Sequence, residues 1–131
     1  MKRANRISVV GGPRIVKPRF GEDMSEDELK VNVLDACKLL RLRVAHFRPA
    51  RTEKGWRTPV EGDGAGFLDL VIVGVDVLYR ELKSREGRIE PDQQLWIDDL
   101  KAAGANVDVW RPVDWMSGRI QRELTVIRRR R

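Results

Sequence analysis

Apolar residues first recur at helical spacing at Leu29, Val33, Cys37, Leu40 and Val44, preceded by Ser25 and Glu28 in an S-x-x-E arrangement. In that arrangement each side chain satisfies a backbone N–H of the other, so the pattern predicts a helix opening at Ser25. The stretch up to about Asp23 contains Gly11-Gly12-Pro13 and Lys17-Pro18 and holds no period. It reads as an irregular arm with one short strand at Ile7–Val10. Val44–Phe47 reads as a strand, and Arg48–Gly66, rich in Gly, Pro and charge, as a long loop.

Two apolar runs follow, Leu68–Val73 and Val77–Lys83, joined through Gly74-Val75-Asp76. Both carry apolar residues on both faces, which predicts a hairpin of central strands. Pro91 before it and Gly104 after it bracket a second helix over Asp92–Ala103. Val107–Trp110 reads as a further strand ended by Pro112, with Asp114 capping a last helix to about Leu124. This order defines an α/β or α+β domain, a small mixed sheet flanked by helices. We divide the chain into a basic arm (1–24), a folded domain (25–124) and a basic tail (125–131).

A hairpin symmetric about Val75 sets Val73 opposite Val77, Val71 opposite Tyr79 and Asp69 opposite Glu81, all on one face. Like charges directly opposite destabilise a sheet, so two facing carboxylates at the end of an apolar ladder need a reason. A divalent cation with a preference for hard oxygen ligands supplies one. Lys83 shares the face by the strand's period of two, where its ammonium can orient a metal-activated water. The bland alternative is a Glu–Lys ion pair beside an unrelated aspartate.

The 131 residues suffice for one hydrophobic core. Charged residues make up 35%, against about 25% in a typical domain. They are unevenly placed: residues 1–24 hold six Lys/Arg and two acids, residues 117–131 six Arg and one acid, and the middle 14 bases and 17 acids. Basic ends around an acidic centre fit polyanion binding about a cation site, although Arg128–Arg131 also reads as a solvated tail. With one cysteine, Cys37, and one histidine, His46, an internal disulfide and a Cys/His zinc cage are excluded. No apolar run approaches the roughly 20 residues that span a bilayer, and the start has no secretory pattern, so the expectation is a cytoplasmic protein without a membrane partner.

Four segments, Gly66–Val73, Glu81-Leu82-Lys83-Ser84, Glu90–Trp96 and Gly104 with Val109-Trp110-Arg111-Pro112, together resemble the VRR-NUC family of PD-(D/E)XK nucleases. With the helix from Ser25 the resemblance covers about residues 25–115. It implies a restriction-endonuclease-like core in which Asp69, Glu81 and the Leu82 carbonyl are metal ligands and Lys83 is the catalytic lysine. Gln93 matches the family's glutamine on the following helix, and Glu28 its acid on the first helix. Both have ordinary readings too: Glu28 as half of the capping box, Gln93 as a first-turn polar residue. Leu68 stands where the family usually has proline. The loop Arg48–Arg57 interleaves bases with Trp56, which either stacks on an opened base or packs the loop. His46, Cys37, Trp96 and Trp110 read as structural.

The expected function is a Mg²⁺-dependent, structure-specific DNA endonuclease, with Mn²⁺ able to substitute and no organic cofactor. Branched DNA is the expected partner, a Holliday-junction resolvase working as a homodimer the leading reading. The rivals are a flap or single-strand nuclease and a non-catalytic nucleic-acid-binding module.

Overall fold

In the computed structural model, residues 8–9, 13–14, 21–47, 50–52, 55–57 and 60–129 are described. Along the chain come β1 (Ser8–Val9), β2 (Pro13–Arg14), a 3-10 turn (Gly21–Asp23), α1 (Glu26–Leu39), β3 (Arg43–His46), β4 (Ala50–Thr52) and β5 (Gly55–Arg57). Then follow β6 (Leu70–Val73), β7 (Val77–Leu82), α2 (Pro91–Ala102), β8 (Asn106–Trp110), α3 (Pro112–Met116) and α4 (Arg119–Ile127).

The hairpin forms the centre of a four-stranded mixed sheet of order β3-β6-β7-β8. Its register matches symmetry about Val75: Leu70 faces Arg80, Val71 faces Tyr79, Ile72 faces Leu78 and Val73 faces Val77. β3 joins β6 antiparallel, while β8 joins β7 in parallel after the α2 crossover that such a pairing requires. Leu70, Ile72, Leu78, Leu82 and Trp110 point to one face, where Leu29, Val33 and Cys37 of α1 and Ile120, Leu124 and Ile127 of α4 cover them. Tyr79, Val107 and Val109 point to the other, against Ile97, Trp96 and Leu100 of α2. An α/β sheet with helices on both faces is therefore the observed architecture.

Local chemistry explains the boundaries. Ser25 Oγ accepts from the Glu28 N–H at 3.0 Å and Glu28 Oε1 from the Ser25 N–H at 2.9 Å, closing the capping box. At the other end of α1 the Leu42 N–H donates to the Cys37 carbonyl at 2.9 Å, and Arg41 takes φ 57°. Glycine normally occupies that position because it has no Cβ to clash.

Several expectations are corrected. Residues 48–66 are not loop throughout, since β4 and β5 pair antiparallel within them; with no alternation of apolar residues, the segment carries no period-two signal. The last helix is two, because Gly118 adopts φ 83° between α3 and α4. Pro112 opens α3 as well as ending β8, and Asp114 serves at the third helical position by accepting from the Arg111 N–H at 2.7 Å. The tail boundary also moves, because α4 runs to Ile127, a buried core residue. In the arm, Ser8–Val9 pairs with Pro13–Arg14; Ile7, Val10, the side chain of Trp56, and Arg130 and Arg131 lie outside the described residues. No helix among the described residues is long and apolar enough to cross a membrane.

Gly74 locks the turn end of the sheet to α4. The Val75 N–H donates to the Ile127 carbonyl at 2.8 Å, and a Cβ on Gly74 would fall 1.9 Å from that oxygen. Gly74→Ala must push α4 away from the hairpin and is expected to lower stability by roughly 1–3 kcal/mol. Urea unfolding measures it, and a midpoint equal to wild type would show that α4 docks elsewhere.

Candidate active site

Asp69 lies one residue before β6, where the antiparallel ladder ends. Its carbonyl accepts from the Phe47 N–H at 2.9 Å, and its carboxylate Oδ2 accepts from the Leu82 N–H at 2.9 Å. The side chain thus takes over from the main chain, pinning the aspartate between β3 and β7. Leu68 is fully buried with Ile97 and Val107 beneath α2 and anchors the approach to β6. Gly66, at φ 79°, lets this segment touch the start of α2; a Cβ there would sit 2.6 Å from the Asp92 carbonyl carbon. Phe67 meets Phe47, Tyr79 and Trp96 edge to face, and the Trp96 indole donates to the Asp63 carbonyl at 2.8 Å.

Glu81, on β7, is only 1% exposed. Its Oε2 accepts from Gln93 Nε2 at 2.7 Å and lies 3.7 Å from Lys83 Nζ. Its other oxygen, Oε1, is buried with no hydrogen-bond partner. Burial first, and then the charge of Asp69, push the Glu81 carboxyl up to about 8. Asp69 is also raised, mainly by burial, while the Leu82 N–H pulls it back. The interaction between the two carboxyls acts in opposite senses, lowering Asp69 and raising Glu81.

These groups open onto a cleft of about 520 Å³ between the N-terminal half of α1, the end of β3 and the start of α2. Asp69, Glu81, Leu82, Lys83 and Gln93 all line it. Gln93 also fills its ordinary role, since its Oε1 accepts from the Glu90 N–H at 2.8 Å and caps α2. Glu28 is absent from the lining, and its carboxylate closes the capping box instead. The helix acid at the cleft is Glu26, whose carboxyl is raised by partial burial and drawn down by Lys83. Helical spacing is the signal that could have found it: Glu26 lies three residues before Leu29 and seven before Val33, in phase with them at the solvent-exposed start of the helix. His46, read as structural, also lines the cleft and lowers the Asp69 carboxyl electrostatically. Pairing of His46 with Leu70 puts it beside the site, a consequence of register that β3 alone does not reveal.

Among the described residues no three His, Cys, Asp or Glu side chains converge as metal ligands. Two carboxylates with an open buried oxygen suit a hard divalent cation such as Mg²⁺, which completes its shell with water and substrate oxygens rather than a protein cage. Comparison of the chain with protein-family models, curated proteins and solved structures gave no match.

The raised carboxyl has a thermodynamic consequence. Folding lifts Glu81 from 4.5 to about 8, so the folded chain keeps a proton that the unfolded chain releases. The contribution to stability is complete below pH 4.5 and is lost as pH rises through about 8. Glu81→Gln cannot ionise, so its unfolding midpoint without metal should gain on wild type from pH 6 to pH 9. A constant difference across that range would mean that Glu81 is not held protonated.

Proposed function

We propose that the chain is a Mg²⁺-dependent endonuclease that hydrolyses DNA phosphodiester bonds. The observation that carries this reading is the buried Glu81 carboxyl, with Oε1 unpartnered, beside Asp69 and Lys83 at the wall of an open cleft. A module that only binds a polyanion gains nothing from two acids facing the phosphates. The resemblance of residues 25–115 to the VRR-NUC nucleases supports the same reading.

Asp69, Glu81 and the Leu82 carbonyl would hold the cation, which when bound supplies Lewis-acid polarisation of the phosphate and a lowered pKa for water. Lys83, 3.7 Å from Glu81, donates hydrogen bonds to the attacking water and offsets the negative charge that develops on phosphorus oxygens. Gln93 fixes the Glu81 carboxylate from the start of α2. The bond from water oxygen to phosphorus forms as the ester P–O bond breaks; water gives up a proton and the departing oxygen takes one, leaving a monoester and a hydroxyl. Branched DNA is the substrate we favour, cut by a homodimer whose two-fold axis presents two sites to paired strands.

Asp69→Asn and Glu81→Gln should abolish cleavage of labelled duplex, flap and four-way junction DNA with Mg²⁺ present, while binding persists. Lys83→Ala should lose about 10²–10³ in turnover. Full cleavage by either carboxylate variant would refute the site. Glu26→Gln, at the cleft rim, should slow cleavage roughly ten- to a hundredfold. Glu28→Ala should leave the rate alone and cost roughly 0.5–1 kcal/mol of stability through the lost side-chain acceptor of the capping box. The reverse pattern would return the helix acid's role to Glu28.

A further inference from the structure

A second cleft, of about 480 Å³, is lined by Lys38, Arg41, Leu42, Arg43, Val73 and Arg129. It occupies the opposite end of the same flank as the carboxylates: the N-terminal half of α1 and the end of β3 serve the first cleft, the C-terminal end of α1 and the start of β3 the second. Four of its six lining residues are cationic and none is acidic. Among the described residues none of the four joins an ion pair. Arg129 is turned toward the sheet, its Nε donating to the Gly74 carbonyl at 3.1 Å, although it sits in a tail that reads as freely solvated. Arg41 is the single non-glycine among the described residues at positive φ. Glycine takes that conformation without steric cost, so a cation there is held against the backbone's preference.

We propose that this cleft grips the phosphate backbone of a duplex arm of the substrate, at a distance from the bond that is cut. The inference rests on the nuclease reading of the Asp69–Glu81 site, which fixes where the scissile phosphate lies. Four cations without an aromatic side chain suit backbone contact in a duplex, since single-strand binding sites add aromatic rings on which bases stack. The spacing follows from the elements. Asp69 and Val73 are four strand residues apart, roughly 14 Å, and Glu26 and Lys38 twelve helical residues apart, roughly 18 Å. A duplex rises about 3.4 Å per base pair, so the grip falls about four to five base pairs from the cut.

The test uses the full chain with Glu81→Gln, titrated by fluorescence anisotropy against labelled duplex and junction DNA across a salt series. Adding Arg41→Gly should lower affinity several-fold and flatten the slope of log K against log salt by about 0.9. The thermal midpoint should hold or rise, because glycine relieves the backbone. Arg43→Gln, on the exposed edge strand, should flatten the slope likewise. Shortening the arm on one side of the cut below about four base pairs should cause the same loss, with Arg41→Gly adding nothing further. Unchanged slopes in both variants, or a full additional loss on the short arm, would overturn the inference. Should the slopes stay unchanged while the wild-type chain cleaves, the grip is wrong and the nuclease reading stands. Should the slopes flatten while the wild-type chain cleaves no DNA, the nuclease reading is wrong and the grip stands.

Discussion

Glu81 is 1% exposed, and an ionised carboxylate in such a place costs several kcal/mol unless something neutralises it. The architecture of the α2 side follows from meeting that cost only in part. The Leu82 N–H holds Asp69, Gln93 holds one oxygen of Glu81, and Lys83 stands within ion-pair range. The remaining acceptor capacity is left to a proton, or to a cation if one is offered. Aromatic and aliphatic packing by Phe67, Tyr79, Trp96 and Leu68 keeps the surroundings dry enough for the cost to persist.

Arg80, the neighbouring residue on β7, poses the opposite problem on the opposite face. It is 2% exposed, and its guanidinium donates to the Tyr79 and Asn106 carbonyls, Asn106 Oδ1 and Glu123, and lies 5.0 Å over the Trp110 ring. Glu123 in turn accepts from the Trp110 indole and from Arg119, and Arg119 reaches Asp114 and Asp108. Apart from Arg80 Nε, every donor of that guanidinium is accounted for. Two adjacent buried charges therefore differ in kind. Arg80 is held by protein partners at every donor but Nε and ties α4 to the sheet, whereas Glu81 faces a cleft.

The carboxylate site was legible because the hairpin carries its own ruler. A short turn symmetric about Val75 between two apolar strands is the expected register, the observed ladder has it, and Asp69, Glu81 and Lys83 share a face in it. Gln93 was legible as a first-turn residue of α2, and the structure places it in the cleft lining. Glu28 was open to two readings, cap and active-site acid, because both need the same residue type at nearly the same place; its side chain closes the capping box, and the α1 acid that lines the cleft is Glu26. His46 and the basic cleft were not legible, since they depend on β3 pairing with β6 and on Arg129 folding back beside Gly74. Those are contacts between segments far apart in the chain, and no local period encodes them. The β4–β5 pair escaped for the opposite reason, having too little alternation to register at all.

Gln93 gives its two polar ends to two different structures, its oxygen to the amide of Glu90 just before α2 and its nitrogen to Glu81. The winding of the helix start and the aim of the carboxylate are thereby one mechanical unit. Fraying of that turn would withdraw the side-chain amide that holds Glu81. How slowly the Glu90 amide exchanges its hydrogen with solvent is accordingly a measure of how much of the time the carboxylate is set.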